Sequence, residues 1–401
     1  MAELVWVKGK GPGPGPGLVV AIGHLPANLC KFLQRRNPPG LSIDMLVRRL
    51  RCSSSLLGRR GLATVPTDGP RATPLGPLNG TFGAQVTGVD LTRPLPPPAI
   101  AELVRLQDTY GVLVFRSTGL DDGTHVRYSR SFGALESVHG VNKPRRASSL
   151  HLYDAGNLDA EGKIIPRHSR AWWHSKGNGL WHTDSSFNQH RSSYSALRAV
   201  ELPPSGGGAT LYADMRAAYD DLPADIKADL EGRVAEHWIW HSRKLAAPRE
   251  FDRPTEQERT AIPPAYHAAV QTAPDPSRKT LYVASHMRRI VGLPERESTA
   301  LIRYLLTHAQ QAKYQLRVQW ESVGDLVQWD NRCTMHRATA FEDQTNRRDM
   351  RRTTVYDHGP YAFGEKLRLP PSEVDILCGG TLDIAAQPTP ETQTREQIDA
   401  L

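Results

Sequence analysis

His182 and Asp184 stand two residues apart in the strand-like segment LWHTDSSF. Because side chains alternate faces along a strand, an imidazole and a carboxylate at this spacing point the same way and can reach one metal ion. The pair alone is weak evidence, since a surface histidine hydrogen-bonded to a nearby aspartate gives the same pattern. A metal site therefore requires a third ligand from elsewhere in the chain.

His336 is the best candidate for that ligand, because it follows a short apolar strand in the segment WDNRCTMHR. Two histidines and one carboxylate can occupy one face of an octahedral ion and leave three adjacent positions open. Such a facial triad suits non-haem Fe(II), which must hold a bidentate co-substrate and O2 together. A zinc hydrolase with the same ligands needs only one open position, for water.

A dense arginine group in RRDMRRTT follows His336. A guanidinium can hold a carboxylate by two parallel hydrogen bonds. Arg348 and Arg352 are four residues apart and would share one face of a strand. One could hold the distal carboxylate of a keto-diacid, while the other reaches an acidic group of a second substrate. The alternative is a solvated basic face or a phosphate-binding patch.

These segments, with PPSGG and DMRAAYDDLP between them, resemble the TauD/TfdA family of Fe(II)- and 2-oxoglutarate-dependent dioxygenases. The likeness is closest to the 2,4-dichlorophenoxyacetate dioxygenase branch and runs from about Asn79 to Tyr361. It implies an enzyme that needs Fe(II), 2-oxoglutarate and O2. Such an enzyme hydroxylates a small acidic substrate of the aryloxyalkanoate type and releases succinate and CO2.

The resemblance also implies which residues bind the metal and the co-substrate. His182, Asp184 and His336 match the iron ligands of the family. Thr210 and Arg348 match the residues that hold the far carboxylate of 2-oxoglutarate.

Asn178 matches an active-site asparagine, and Arg352 matches the arginine that binds the acidic group of the primary substrate. The chain departs from the family pattern at two points. Ala209 stands where the family usually has an aspartate, and one extra residue precedes the arginine pair. The extra residue leaves open whether Arg347 or Arg348 faces the iron, and the register of RRxMxRxT favours Arg348.

The pattern of many short strands with few helices predicts a mainly β protein with flanking helices. Because the ligands lie on distant strands, we expect a double-stranded β-helix, a jelly-roll or cupin-like barrel, which is also the family's fold. Strands are expected over Glu236–Trp240 and Thr280–Ala284, joined by a polar connection over Arg243–Arg278. The unpatterned loop Ser137–Lys176 is expected to form a lid or substrate wall.

Composition divides the chain into three parts. Residues 1–70 form a basic low-complexity leader, residues 75–365 the dioxygenase domain and residues 385–401 a polar tail, and both ends are expected to be disordered. The leader holds ten Lys or Arg against three Asp or Glu, so it carries +7 of the net charge of +8. The charge balance therefore argues against nucleic-acid binding by the folded domain. The four cysteines are scattered, which indicates a reducing compartment.

We expect a cytoplasmic protein, with no partner membrane. If translation starts at Met45, the Arg- and Ser-rich segment that follows resembles a mitochondrial transit peptide. The sequence does not fix the oligomeric state, and a homo-oligomer stays open. Two functional alternatives also stay open: the same chemistry on a purine such as xanthine or on an alkylsulfonate, and a catalytically inactive binding protein. Retention of all three metal ligands argues against the inactive protein.

Overall fold

The structure, a computed structural model, describes residues 69–76, 81–138 and 144–365. The predicted leader lies outside these residues except for its last two positions, and the predicted tail lies wholly outside them, as does Met45. All described residues belong to one compact unit. Within them, no helix is both long and apolar enough to cross a membrane.

Among the described residues, short strands outnumber helices, as the sequence pattern predicts. In chain order, the strands of the described residues are β1 (Arg71–Pro74), β2 (Ala84–Thr87), β3 (Val112–Phe115), β4 (Tyr153–Asp154), β5 (Ser192–Glu201), β6 (Thr210–Asp214), β7 (Val234–His237), β8 (Ala265–Ala268), β9 (Val270–Thr272), β10 (Lys279–Leu281), β11 (Met287–Ile290), β12 (Gln315–Val318), β13 (Leu326–Asp330), β14 (Thr334–Ala338) and β15 (Asp349–Tyr356).

Helices lie between these strands. They are α1 (Pro97–Tyr110), α2 (Asp122–Arg130), α3 (Arg170–Ser175), α4 (Met215–Asp220), α5 (Ala224–Leu230), α6 (Ile239–Ala246), α7 (Glu256–Ala261) and α8 (Glu295–Ala309), with short 3-10 helices at Lys176–Gly179 and Ala312–Tyr314. Local sequence sets several ends. For example, α1 has proline in its first turn and ends at Gly111, whose φ of 68° is left-handed.

The strands form four sheets among the described residues. The largest has seven strands in the order β1-β2-β3-β13-β5-β15-β4. A three-stranded sheet, β12-β6-β14, packs against it, because one apolar cluster contains residues of β3, β5, β13 and β15 from the large sheet and of β6 and β12 from the small one. The remaining sheets are β11-β7-β8 and β10-β9. The mainly β prediction with helices is confirmed, although the sheets are not closed on one another.

Side chains alternate along β6, so the small sheet packs against a different apolar cluster on each of its two faces. Tyr212 joins the core between the two sheets, whereas Leu211 and Ala213 pack on the other face among α4, α5 and α8. In the antiparallel register of β6 and β14, Tyr212 stands opposite His336 and Thr210 opposite Ala338. The inner face of the small sheet therefore carries both His336 and Thr210 towards the large sheet.

The segment after β7 differs from the sequence prediction. The strand expected over Glu236–Trp240 ends at His237, and α6 begins at Ile239. Trp238, Ile239 and Trp240 are all buried in one cluster, so the apolar run carries no clear period of two or 3.6. The polar connection expected over Arg243–Arg278 contains the end of α6, all of α7 and strands β8 and β9.

Helix α8 gives a direct test of the packing around the small sheet. Leu305 is fully buried in the cluster behind β6, whereas Arg303 on the same helix is exposed. We expect Leu305→Ala to lower the free energy of unfolding by about 2–5 kcal/mol, because it removes buried methyl groups and leaves a cavity. Arg303→Ala should change it by less than about 0.5 kcal/mol. Urea unfolding of both variants measures the difference, and equal losses would contradict the packing described.

Candidate active site

His182, Asp184 and His336 meet at one point between the sheets. The Nε2 atoms of His182 and His336 lie 3.9 and 3.8 Å from Asp184 Oδ1. One ligand atom from each residue lies within 4.8 Å of the others, and all three side chains are buried. The arrangement brings together two nitrogens and one oxygen that could hold a single metal ion.

The backbone around these residues is not the strand that the sequence suggests. His182 forms only an isolated antiparallel bridge with His336, through hydrogen bonds of 3.0 and 2.8 Å between their main chains. The chain then turns at Asp184, and Ser185 has a positive φ of 56°. The expectation of a strand at this point was therefore wrong. The bridge nevertheless fixes the two histidines side by side, with ring centroids 4.2 Å apart.

The protonation states favour metal binding. His182 Nδ1 donates to the carbonyl of Leu180 at 2.7 Å, which leaves the Nε2 lone pair towards Asp184. Burial lowers the pKa of both histidines, so the rings are neutral near pH 7. Burial alone would raise the pKa of Asp184, but Arg352 and the histidines outweigh it and the pKa is lowered. Neutral imidazoles and an ionised carboxylate are the forms that coordinate metals.

Asp184 is held by hydrogen bonds from β5 and from the turn after β13. Ser195 Oγ donates to Asp184 Oδ2 at 2.8 Å and accepts from Asn331 Nδ2 at 3.0 Å. Asn331 Oδ1 in turn accepts from the Trp329 indole at 2.9 Å and from the Asp184 main chain at 3.2 Å. This chain of donors turns Oδ2 away and leaves Oδ1 towards the histidines. Sequence reasoning missed Ser195 and Asn331, because their contacts arise only from strand pairing.

One cavity, the central cavity, contains most of the residues singled out from the sequence. Six of the seven predicted residues line it: Asn178, His182, Thr210, His336, Arg348 and Arg352. The seventh residue, Asp184, lies next to this cavity and contacts both His182 and His336. The cavity is completed by side chains that the sequence did not single out, among them Tyr153, Leu197 and Trp329. Tyr153 lies on the two-residue strand β4 inside the predicted loop, where no motif marks it.

Arg348 and Arg347 face opposite ways. Arg347 is paired with Glu201 at 2.6 Å, and its side chain is 45% exposed, whereas Arg348 is 6% exposed and lines the central cavity. Among the described residues, the guanidinium of Arg348 donates to the carbonyls of Ala155 at 3.1 Å and Gly208 at 3.3 Å. Its Nε has no hydrogen-bond partner in the part of the chain that the structure describes, and burial lowers the pKa of Arg348 to about 10. A buried cation without a carboxylate partner fits a site for an anionic ligand.

Gly208 makes room for this guanidinium. It has a φ of +63°, and a Cβ built on it would lie 3.0 Å from Arg348 Nε. Both the backbone conformation and the space favour glycine. Thr210, two residues on, is buried, and its hydroxyl accepts from the Trp320 indole at 3.3 Å.

Arg352 contacts the triad itself. Its Nη1 donates to Asp184 Oδ1, its guanidinium lies 4.9 Å from the centre of the Tyr153 ring, and its Nε has no partner among the described residues.

A second cavity, the outer cavity, adjoins the central one, since Tyr153 and Asn178 line both. Arg145 and His174 of the predicted substrate wall also line the outer cavity, as does Trp240. Cys333 is fully buried and free.

The donor set fits Fe(II) with a keto-diacid better than a closed zinc site. Two histidines and one carboxylate form one side of the site, and the same cavity is lined by Arg348, a buried cation with no carboxylate partner among the described residues. A site that held only zinc and water would leave that cation without a counterion. The geometry therefore accommodates a metal and a carboxylate ligand together.

The contact from Ser195 to Asp184 predicts an effect on metal affinity. Ser195→Ala removes the hydrogen bond that orients the carboxylate, so we expect Mn(II) to bind roughly 10- to 100-fold more weakly. Ser193→Ala is the matched control, because this buried serine on the same strand donates to the carbonyl of Tyr356 at 3.1 Å instead. Calorimetric titration with Mn(II) compares the two variants. An unchanged affinity in Ser195→Ala would remove the role given to this serine.

Several known proteins are similar to this chain in sequence and in structure. A family model described as "Taurine catabolism dioxygenase TauD, TfdA family" matches residues 72–354. The alpha-ketoglutarate-dependent 2,4-dichlorophenoxyacetate dioxygenase of Cupriavidus pinatubonensis is 40% identical over 283 residues, which cover 70% of this chain and 96% of that protein. The (S)-phenoxypropionate/alpha-ketoglutarate-dioxygenase of Sphingobium herbicidovorans is 33% identical, covering 69% and 92%. The crystal structure of AAD-2 in complex with Mn(II) and N-oxalylglycine matches with a TM-score of 0.66 and 36% identity, covering 72% of this chain and 98% of AAD-2.

Proposed function

This chain belongs to the TauD/TfdA family of dioxygenases, and from that premise we propose that its substrate is an aryloxyalkanoic acid of the 2,4-dichlorophenoxyacetate type. The protein is a 2-oxoglutarate-dependent dioxygenase that uses Fe(II) and O2. The observation that carries the substrate proposal is the pair of cations, Arg348 and Arg352, that line one cavity beside the triad. One cation suffices for the co-substrate, so the other is available for a second acid.

In this proposal, His182, Asp184 and His336 hold Fe(II). Bound iron, together with 2-oxoglutarate and O2, supplies the oxidation and leaves succinate and CO2 as products. Ser195 and Asn331 keep the Asp184 carboxylate turned towards the metal. The aromatic side chains of Trp329 and Tyr212 pack around His336, with ring centroids 4.6 and 6.0 Å from it, and limit access of water.

Arg348 and Thr210 hold the distal carboxylate of 2-oxoglutarate. The co-substrate supplies a counterion that no described residue provides for Arg348, and the short, polar Thr210 side chain offers a hydroxyl on the inner face of the small sheet. Asn178, on the 3-10 helix, offers an amide to the ligands in the cavity. Arg347 takes no part, because its partner is Glu201.

Arg352 positions the acidic group of the primary substrate. In the structure it is bonded to Asp184, and we infer that Asp184 gives up part of its charge to a bound cation, which frees Arg352 for a second anion. Holding the acid there places the neighbouring carbon of the substrate near the triad. Hydroxylation of a carbon next to an ether oxygen gives an unstable hemiacetal, so an aryloxyalkanoate breaks down to a phenol and a 2-oxo acid.

We also propose that the domain is a double-stranded β-helix. The two packed sheets support a double-stranded β-helix, and the family match over residues 72–354 supports a dioxygenase domain near residues 75–365. Strand β1 lies just before that expected start. We also propose that the protein is cytoplasmic, or mitochondrial if translation starts at Met45. A homo-oligomer is proposed as well.

The roles of the two neighbouring arginines can be separated by substitution. Arg348→Met should weaken 2-oxoglutarate binding by about 10-fold or more, because it removes a charge-assisted pair. Arg347→Met loses only a surface ion pair and should leave the affinity unchanged. Calorimetric titration of the Mn(II)-loaded proteins with 2-oxoglutarate measures both. The reverse order of effects would assign the co-substrate to Arg347.

The substrate proposal is tested by succinate release. We expect the Fe(II)-loaded protein to form succinate with aryloxyacetates and to release the corresponding phenol, with slower formation for xanthine or an alkylsulfonate. Arg352→Ala should raise KM for the acid far more than KM for 2-oxoglutarate. Equal increases in both constants would refute the role given to Arg352, and preference for a sulfonate or purine would replace the aryloxyalkanoate.

A further inference from the structure

Arg243 is a buried arginine beside the active site for which the sequence motifs give no role. It lies on α6 and is 7% exposed. Its guanidinium sits against Gly177: a Cβ built on that glycine would lie 1.6 Å from Arg243 Nη1. Gly177 precedes Asn178, which lines both the central and the outer cavity. The charged end of Arg243 therefore lies next to the segment that borders both cavities.

This cation has no counterion in the described part of the chain. Other buried arginines pair with carboxylates, as Arg191 does with Asp357 and Arg216 with Asp214, each at 2.8 Å. Arg243 forms no such ion pair with the described residues, and its Nε has no hydrogen-bond partner. A buried charge left unpaired is costly, so its retention calls for a ligand that neutralises it. Arg348 has the same property and is assigned to the co-substrate.

The surroundings of Arg243 connect it to the substrate end of the site. Burial lowers the pKa of Arg243; of its neighbours, Tyr153 raises this pKa and Arg352 lowers it. Tyr153 lines both cavities and also lies beneath the Arg352 guanidinium. Besides burial, Arg243 is the strongest influence that lowers the pKa of His174, which lines the outer cavity. Two guanidinium groups thus act on the same region around Tyr153.

We propose that Arg243, from its place against Gly177, supplies a second positive charge that, together with Arg352, selects a primary substrate bearing a carboxylate or sulfonate. The inference rests on the proposed function, because it requires an acidic substrate. Arg352 shares its charge with Asp184, whereas Arg243 shares its charge with no described carboxylate. A neutral analogue of the same shape would leave Arg243 buried and unpaired, so Arg243 makes the acid group a requirement for binding.

The test uses the full chain loaded with Mn(II) and N-oxalylglycine, in which binding is measured without turnover. Calorimetry compares 2,4-dichlorophenoxyacetate with its primary amide. In Arg243→Met we expect at least tenfold weaker binding of the acid, unchanged binding of the amide and unchanged affinity for N-oxalylglycine. Arg243→Lys should recover part of the loss. Lys244→Met is the matched control, because Lys244 is a cation on the same helix that pairs with Asp252. This variant should bind the acid like the wild type.

Equal weakening for acid and amide would reduce Arg243 to a structural role, and unchanged binding of the acid would overturn the inference. It would also fall if the wild type bound neither this acid nor an alkylsulfonate. If the acid binds in an Arg243-dependent way but the Fe(II)-loaded protein forms no succinate from it, the proposed function fails and the inference stands.

Gly177 supplies an independent arm of the test. The φ of Gly177 is not in the left-handed region, and the three nearest atoms to its added Cβ all belong to Arg243. Gly177→Ala should therefore displace the guanidinium and weaken acid binding by a factor similar to Arg243→Met. In the Arg243→Met background, Gly177→Ala should add no further loss. Additive losses in this double-mutant cycle would contradict the proposal.

Discussion

The buried carboxylate of Asp184 is the charge around which the site is built. Two neutral imidazoles, one arginine and a serine hydroxyl converge on it, and burial makes each of these contacts strong. Their positions depend on the pairing of β6 with β14, which presents His336, and of β5 with β13, which presents Ser195 beside Asn331. The two packed sheets are therefore needed before the three ligands can approach one another.

The grouping of His182, Asp184 and His336 could be predicted from the sequence, because their residue types suggest a metal site and the family resemblance supplies the third ligand and the roles of the arginines. The local backbone could not. The His-x-Asp pair was expected on a strand, but main-chain pairing with His336 stops after one bridge and the chain turns at Asp184. The choice between Arg347 and Arg348 also required the fold, since only burial and the Glu201 partner separate two adjacent arginines.

Two of the residues that sequence reasoning missed, Tyr153 and Arg243, lie outside the motifs. Tyr153 lies on a two-residue strand in a segment without periodicity, and Arg243 follows an apolar run that was expected to be a strand rather than the start of α6. Tyr153 is identified by its place in the lining of both cavities, and Arg243 by its burial without a counterion among the described residues. The same physical pattern marks Arg348 for the co-substrate and Arg243 for the substrate, so charge neutralisation links the catalytic and the specificity parts of the site.

A crystal structure of the protein grown with Mn(II) and N-oxalylglycine tests the central claim most directly. We expect one metal ion within coordination distance, about 2.0–2.3 Å, of the two histidine nitrogens and Asp184 Oδ1, with the distal carboxylate of the inhibitor against Arg348. A metal bound elsewhere, or an inhibitor whose distal carboxylate lies away from Arg348, would contradict it.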